Sequence, residues 1–169
     1  MRILAAIIAV LGSFSVSAIE ISNFKSGLAC TNTTLSEHGR GWICHETQDV
    51  LVTDQGSCNY NGDTRLCTWY GFEFDFEASE ELTKLECMGE TSAPTSPGNP
   101  GGILASNVTS HPFEIELAGR KGHFYNPMYF VFKVGSGADT TMTNSFTCRA
   151  DGAELFQARF NLHFPRIPE

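Results

Sequence analysis

Alternation between apolar and polar residues runs through three stretches of this chain and constrains its fold more than any other feature. The longest covers residues 156–164, and shorter ones cover residues 72–77 and 113–117. Successive side chains of a β-strand point to opposite faces, so this alternation places one face of each strand in a core and the other in water. The pattern predicts an all-β fold, an antiparallel β-sandwich-like domain with at most one or two short helices.

Strand and turn signals extend this prediction along the chain. Residues 128–134 begin apolar at both odd and even positions, which indicates a central strand covered on both faces. The pairs Asn61–Gly62 and Asp151–Gly152 predict tight turns, because glycine adopts a positive φ at little cost. Residues 78–85 could form a short helix or a loop. We expect strands near residues 66–76, 113–117, 127–134 and 154–164, with shorter ones at 50–53, 82–87 and 145–148.

The first residues, 1–18, have the three parts of a secretory signal peptide. A basic start is followed by the apolar run 3–11, and the small residues Val16 and Ala18 precede the expected cleavage before Ile19. A helix that crosses a bilayer needs about 20 apolar residues, and this run is shorter. We therefore expect a secreted or periplasmic protein with no membrane span.

Six cysteines lie behind this leader, an even number that predicts up to three disulfides in an oxidising compartment. The closest two are nine positions apart and no Cys-x-x-Cys pair occurs, which argues against a structural zinc site. We expect the bonds Cys30–Cys44 and Cys58–Cys67, which close local loops, and Cys87–Cys148, which joins the two halves of the chain.

A break in the pattern falls at residues 91–102, which contain three prolines and three glycines. This segment could be a linker between two small domains or a surface loop within one. Five cysteines precede it and only Cys148 follows, so complete pairing within the chain requires a bond across the segment. We therefore expect residues 19–169 to form a single disulfide-linked β domain, with residues 91–102 as a Pro/Gly-rich loop between two halves.

Charge excludes one class of partner. Eleven Lys and Arg residues stand against nineteen Asp and Glu residues, giving a formal net charge of −8. An acidic chain with no basic cluster repels phosphate backbones, so we expect no nucleic-acid binding. Two glycosylation sequons begin at Asn32 and Asn107, and they are used only if the host glycosylates its exported proteins.

Two groups of residues are candidates for a ligand surface. One is the segment 36–46, where His38, Arg40 and Trp42 lie close together; the alternative is a loop that closes on the Cys44 disulfide. The other is the polar face of the last strand, which can hydrogen-bond a ligand or simply face water. This second group consists of Gln157, Arg159, Asn161 and His163.

Acidic residues also alternate with phenylalanine or other apolar residues, and we expect them to be solvated charges that discourage edge pairing. They are Glu73, Asp75 and Glu77 in one strand, and Glu114 and Glu116 in another.

Known catalytic motifs are absent from the sequence. There is no Gly-x-Ser-x-Gly elbow and no glycine-rich nucleotide loop, and we expect neither a cofactor nor a metal. The leading hypothesis is an exported, non-enzymatic binding module that recognises an extracellular or periplasmic protein or glycan. The alternative is a secreted hydrolase whose dispersed catalytic residues include Glu46, His45 or His163, and a structural component of an envelope or matrix is a third class. A hydrolase requires a pocket where acids and histidines from different strands converge.

Overall fold

The structure, a computed structural model, describes residues 19–31, 41–99, 102–131 and 140–165. These residues form two packed five-stranded sheets and one small two-stranded hairpin. The strands are β1 (Ile19–Thr31), β2 (Gly41–Glu46), β3 (Asp49–Leu51), β4 (Gly56–Tyr60), β5 (Asp63–Ala78), β6 (Leu82–Thr95), β7 (Gly98–Asn99), β8 (Gly102–Ile103), β9 (Val108–Ala118), β10 (Lys121–Val131), β11 (Thr140–Ala150) and β12 (Ala153–Phe164).

Sheet A is antiparallel, with strand order β10-β5-β1-β2, and β4 pairs with β5 as well. Both β10 and β4 pair with Cys67, so these two strands lie on opposite edges of β5. Since β1 also lies opposite β10, β4 continues along the same edge of β5 as β1. The long strand β5 is therefore the spine of this sheet.

Sheet B has the strand order β3-β12-β11-β6-β9. Its pairs are antiparallel except for the short parallel contact between β12 and β3. Strands that precede and follow residues 91–102 pair directly, since β6 lies between β11 and β9. The described part of the chain contains no helix long and apolar enough to span a membrane.

The core lies between the two sheets and is built from the alternating residues that the sequence identifies. From β5 it takes Phe72, Phe74 and Phe76, and from β12 it takes Phe160 and Leu162. Aromatic rings from the two sheets meet there, as where Phe72 and Phe156 have centroids 5.3 Å apart. Burial of such side chains contributes about 1.5–3 kcal/mol each, the main favourable term in folding.

The predicted all-β class is confirmed, and the described residues contain strands but no helix. The helix predicted as one alternative for residues 78–85 is wrong. Residues 79–81 form a bend between β5 and β6, and the rest of that segment belongs to these two strands. The turn at Asn61–Gly62 joins β4 to β5 with positive φ at both residues, 53° and 84°. The turn at Asp151–Gly152 joins β11 to β12 in the same way.

Two expectations about strand position are wrong. Residues 127–134 were expected in a central strand, yet in the part of the chain that the structure describes β10 ends at Val131, pairs only with β5 and lies at the edge of sheet A. Tyr129 resembles a core residue in the sequence, but it lies on the outward face of β10, where its ring packs on Trp69. The segment 91–102 is not loop throughout, since β6 continues to Thr95 and a small hairpin follows.

Two disulfides are present, and both were predicted: Cys30–Cys44 closes a local loop and Cys87–Cys148 joins the two halves of the chain. The predicted third bond is not present, and Cys58 and Cys67 are buried free thiols. Their register explains the difference. Cys87 and Cys148 lie directly opposite each other across β6 and β11, with Cα atoms 4.1 Å apart, whereas Cys58 lies opposite Arg65 and not opposite Cys67.

Several expectations fall outside the described residues. They are the signal peptide at 1–18, the sequon at Asn32, and the candidate ligand residues His38 and Arg40. Asn107 is described; it is exposed and precedes β9.

Candidate functional site: a polar groove on sheet A

The outer face of sheet A carries a groove of about 370 Å³ whose lining is mostly polar. We call it the Asp75 groove. Its side chains come from β1, β2, β5 and β10, so four strands of one sheet position the site. They are Asn23, Phe24, Lys25, Glu46, Glu73, Asp75 and His123.

Asp75 holds the centre of the groove through two hydrogen bonds. Asn23 Nδ2 donates to Asp75 Oδ2 over 2.7 Å, and His123 Nδ1 lies 2.9 Å from Asp75 Oδ1. His123 stands directly opposite Asp75 across the β5–β10 pair. The hydrogen bond from Asn23, and then that from His123, lowers the pKa of Asp75 below its ordinary value of 3.8. A charged Asp75 accepts a hydrogen bond from the Nδ1–H group and thus fixes the orientation of the imidazole.

A bulge in β1 places Asn23 in the groove. The pairing of β1 with β5 shifts between Ser22 and Lys25, and Asn23 in the shifted segment has a φ of 50°. Asparagine tolerates this left-handed conformation better than most residues do. The bulge redirects two neighbours to opposite sides, because Asn23 reaches Asp75 while Phe24 stacks on Phe72 in the core.

Glu73 forms the floor of the groove and is only 4% exposed. Its Oε2 accepts a hydrogen bond of 2.9 Å from the backbone N–H of Ile43, and its Oε1 lies 3.5 Å from Lys25 Nζ. His123 Nε2 lies 3.8 Å from Oε2. The expectation that Glu73 is a solvated charge is therefore wrong, since a buried carboxylate with these partners is a fixed part of the site.

Strand β2 covers Glu73 because it curls from β1 towards β10. Gly41 packs against the ring of Tyr125, and a Cβ at this position would lie within 2.4 Å of Tyr125 Cε1. The Tyr125 hydroxyl lies 3.4 Å from the carbonyl oxygen of Cys30, which it approaches as a donor. Burial, and then the charge of Glu73, raises the pKa of Tyr125 to about 12, so the phenol remains a hydrogen-bond donor at neutral pH.

The groove thus combines acceptors and donors in a small space. Glu46 and Asp75 offer carboxylate oxygens, while Lys25, Asn23 and His123 offer N–H groups. Among the described residues, no group of three or more His, Cys, Asp or Glu side chains has the geometry to hold a metal ion. The arrangement suits a ligand that both donates and accepts hydrogen bonds.

Of the first candidate surface from the sequence only Trp42 is described, and it lies in a different sheet from the second surface. Trp42 lies on β2 in sheet A and is 46% exposed, whereas the polar row of the last strand lies on the outer face of sheet B. Within that row Gln157 and Arg159 are exposed, and Gln157 Nε2 lies 3.5 Å from Thr147 Oγ1 as its donor.

Asn161 and His163, from the same row, converge on Asp49 of β3. Asn161 Nδ2 donates to Asp49 Oδ1 over 3.0 Å, and His163 Nε2 lies 3.0 Å from the same oxygen. The hydrogen bond from His163, and then that from Asn161, lowers the pKa of Asp49. The second imidazole nitrogen of His163 lies 3.2 Å from Thr141 Oγ1. These contacts join β3 to the edge of sheet B.

The three residues named for a hydrolase are also dispersed. Glu46 lines the Asp75 groove, His45 is exposed on β2, and His163 is in the other sheet. Asn23, Lys25 and His123 were not among the residues predicted from the sequence. The signal that could have found them is the strand register, which brings β1 and β10 to the two sides of β5, and no local pattern encodes it.

Comparison with known proteins does not indicate a function for this groove. No family model matches the chain, and no curated protein matches it either.

Proposed function

We propose that this chain is an exported binding module that recognises a glycan in the Asp75 groove. The observation that carries the proposal is the convergence of Asn23, Asp75 and His123 from three strands on one open polar groove. Strand-borne side chains with hydrogen-bonded partners are held in place before the ligand arrives, so little conformational entropy is lost on binding.

The chemistry of the groove favours a glycan over a protein partner. Each sugar hydroxyl donates one hydrogen bond and accepts others, and adjacent carboxylate, amide and imidazole groups satisfy both roles. Protein interfaces bury an apolar centre rimmed by polar groups. Among the described residues that line the groove, Phe24 is the one apolar side chain, and its ring packs into the core. A volume of about 370 Å³ suits a small ligand and not a folded surface.

A glycan array followed by calorimetric titration tests the proposal. We expect the chain with its two disulfides to bind a neutral or amino-bearing glycan, and Asp75→Ala to weaken that binding by about tenfold or more, because a hydrogen bond to a charged group is worth about 1.5–3 kcal/mol. Glu77→Ala is the matched control. Glu77 lies on the same face of the same strand, is exposed and pairs with Lys121 outside the groove.

Equal losses of affinity in Asp75→Ala and Glu77→Ala would place the binding site elsewhere. Binding of a peptide or protein, with no glycan bound, would also sink the proposal. His123→Ala supplies an independent probe of the groove, since this side chain comes from β10 and its removal leaves β5 intact.

One specific observation favours the alternative of a secreted hydrolase. Asp75 orients His123 through Nδ1, and Nε2 faces the buried Glu73 at 3.8 Å, which resembles the way a carboxylate positions a general base. Among the described residues that line the groove there is no serine, threonine or cysteine, so in this alternative we expect water to be the nucleophile. Release of product from a bound glycan, abolished by His123→Ala but retained in Glu77→Ala, would favour this alternative over simple binding.

A further inference from the structure

The β4–β5 hairpin holds the two cysteines that are not joined in a disulfide. Cys58 lies opposite Arg65, and Cys67 lies opposite Gly56, so the two cysteines are diagonal neighbours on one face of the hairpin. Cys58 is 6% exposed and Cys67 is fully buried. The Cys58 thiol lies 3.7 Å from the carbonyl oxygen of Arg65, and the Cys67 thiol lies 3.9 Å from that of Gly56. Two buried free thiols on one face of the same hairpin are an arrangement that the Asp75 groove does not use.

We propose that Cys58 and Cys67 form an asymmetric redox pair, in which Cys58 reacts first with a small disulfide oxidant and Cys67 then closes the crosslink. This assigns a modification site to the hairpin, and it is independent of the Asp75 groove. The oxidant is of the class of glutathione disulfide, which an oxidising compartment supplies.

The reaction proceeds in two exchange steps. The Cys58 thiolate attacks one sulfur of the oxidant, so a mixed disulfide forms and one molecule of the small thiol leaves after taking up a proton. The Cys67 thiolate then attacks the sulfur of Cys58, and the second small thiol leaves. The protein loses two hydrogens and gains one S–S bond, while the oxidant is reduced to two thiols.

The order of attack follows from the positions of the two strands. In the described part of the chain β4 pairs only with β5, so Cys58 lies in an edge segment that can open locally. Cys67 is paired on both sides, with Gly56 and with Val131, and cannot be reached without separating two strands. Burial raises the pKa of both thiols, strongly for Cys67, which makes Cys67 the poorer first nucleophile.

Closing the crosslink requires a small movement of β4. Diagonal neighbours in an antiparallel pair have Cα atoms about 7–8 Å apart, whereas a disulfide spans about 4.4–6.8 Å. A shift of about 1 Å is therefore sufficient. This shift should change the environment of Trp69, because its indole N–H donates a hydrogen bond of 3.1 Å to the carbonyl oxygen of Ser57, the residue before Cys58. A change in Trp69 fluorescence is thus a second readout of the same event.

Mass spectrometry without prior cleavage of the native disulfides tests the proposal. The folded protein, with Cys58 and Cys67 first reduced under mild conditions, is treated with glutathione disulfide. We expect a Cys58–Cys67 crosslink in the wild type and a stable glutathione adduct on Cys58 in Cys67→Ser. In the matched variant Cys58→Ser we expect Cys67 to remain unmodified until denaturant is added.

Equal adduct formation in the two variants would overturn the asymmetry. Thiols that stay free in the folded wild type, under conditions that crosslink the unfolded chain, would overturn the redox pair itself. Should either variant fail to fold, pulsed alkylation of the reduced wild type answers the same question. Cys58 should be labelled clearly faster than Cys67, because β4 can open locally whereas Cys67 is paired on both sides, and equal rates would contradict the proposal.

Discussion

Glu73 is the residue whose environment differs most from what its neighbours along the chain suggest. The carboxylate lies beneath β2, where the backbone N–H of Ile43 and the ammonium group of Lys25 hold it. A buried carboxylate is stable only with such partners, and each partner is in turn fixed by it. The residue therefore links the groove to the closure of β2 over sheet A.

Glu73→Ala should lower the free energy of unfolding by about 1–3 kcal/mol, because it leaves the Ile43 N–H without its carboxylate acceptor in a buried site. Glu77→Ala, four residues further along β5 on the same face, should change that free energy by less than about 0.5 kcal/mol, since its ion pair with Lys121 is exposed. Urea denaturation of the three proteins measures both values. A loss in Glu77→Ala as large as that in Glu73→Ala would show that burial of Glu73 is not what matters.

Asp75 should give the protein part of its acid sensitivity. Hydrogen bonds from Asn23 and His123 lower its pKa in the folded state below 3.8, its ordinary value. The charged form is thus favoured by folding, so its stabilising effect is fully present above about pH 4 and is lost as the pH falls through the lowered folded pKa. Asp75→Asn should flatten the fall in unfolding free energy between about pH 4 and pH 2.

The measurement is urea denaturation at a series of pH values, with Glu77→Gln as a control that removes one carboxylate from the same strand. A slope at acid pH that is the same in Asp75→Asn and in the wild type would mean that the hydrogen bonds to Asp75 have no net effect on folding.

Among the structural elements, β5 depends on a close approach at its centre. Gly71 lies between β1 and β10, and a Cβ at this position would lie 2.2 Å from the carbonyl oxygen of Asn126. The neighbouring atom belongs to the backbone, so β10 must move away from β5 to make room. This movement would also displace His123 in the Asp75 groove, because His123 lies in β10.

Gly71→Ala should therefore lower the unfolding free energy by about 1–3 kcal/mol, the usual cost of overpacking, and should also weaken ligand binding in the groove. Gly152→Ala is the comparison, since nothing lies within 4 Å of its Cβ position and only its φ of +78° opposes the change. We expect that variant to lose about 1 kcal/mol without any effect on the groove. A Gly71→Ala protein with native stability would mean that β10 adapts freely at the edge.

The elements also show how far sequence patterns reach. β5 and β12 were predictable because their residues alternate in period two, with phenylalanine on one face. β1 was missed because its bulge at Asn23 interrupts any such period. β10 was placed wrongly because Tyr129 satisfies its hydroxyl outside the core, and an apolar sequence does not distinguish that from burial. The groove depends on which strands become neighbours, and this information is not local.

At the scale of the whole molecule, the two sheets are interleaved along the chain. Sheet A takes β1, β2, β4 and β5 from before residues 91–102 and β10 from after them, while sheet B takes strands from both sides as well. The Cys87–Cys148 disulfide crosses the same segment and lies in the core between β6 and β11. The segment rich in Pro and Gly therefore interrupts the alternating pattern of the sequence, but the strands before and after it still pack in the same two sheets.

Removing this disulfide should destabilise the protein more than removing the other. A crosslink restricts the unfolded chain in proportion to the logarithm of the loop it closes, and the sequence separations are 61 for Cys87–Cys148 and 14 for Cys30–Cys44. The paired alanine variants should lose about 4 and about 3 kcal/mol of unfolding free energy, respectively.

Urea denaturation of the two double variants, with Cys58 and Cys67 kept reduced in both, makes the comparison direct. The Cys87 and Cys148 side chains are buried in the core, and their loss adds a packing cost to the chain-entropy effect, which widens the difference in the same direction. Loss of the Cys30–Cys44 bond should loosen β2 where it covers Glu73. We therefore expect it to weaken ligand binding in the groove as well. If the short-loop variant proved the less stable of the two, β2 and the floor of the groove would contribute more to the stability of the fold than the bond that joins the strands on either side of residues 91–102.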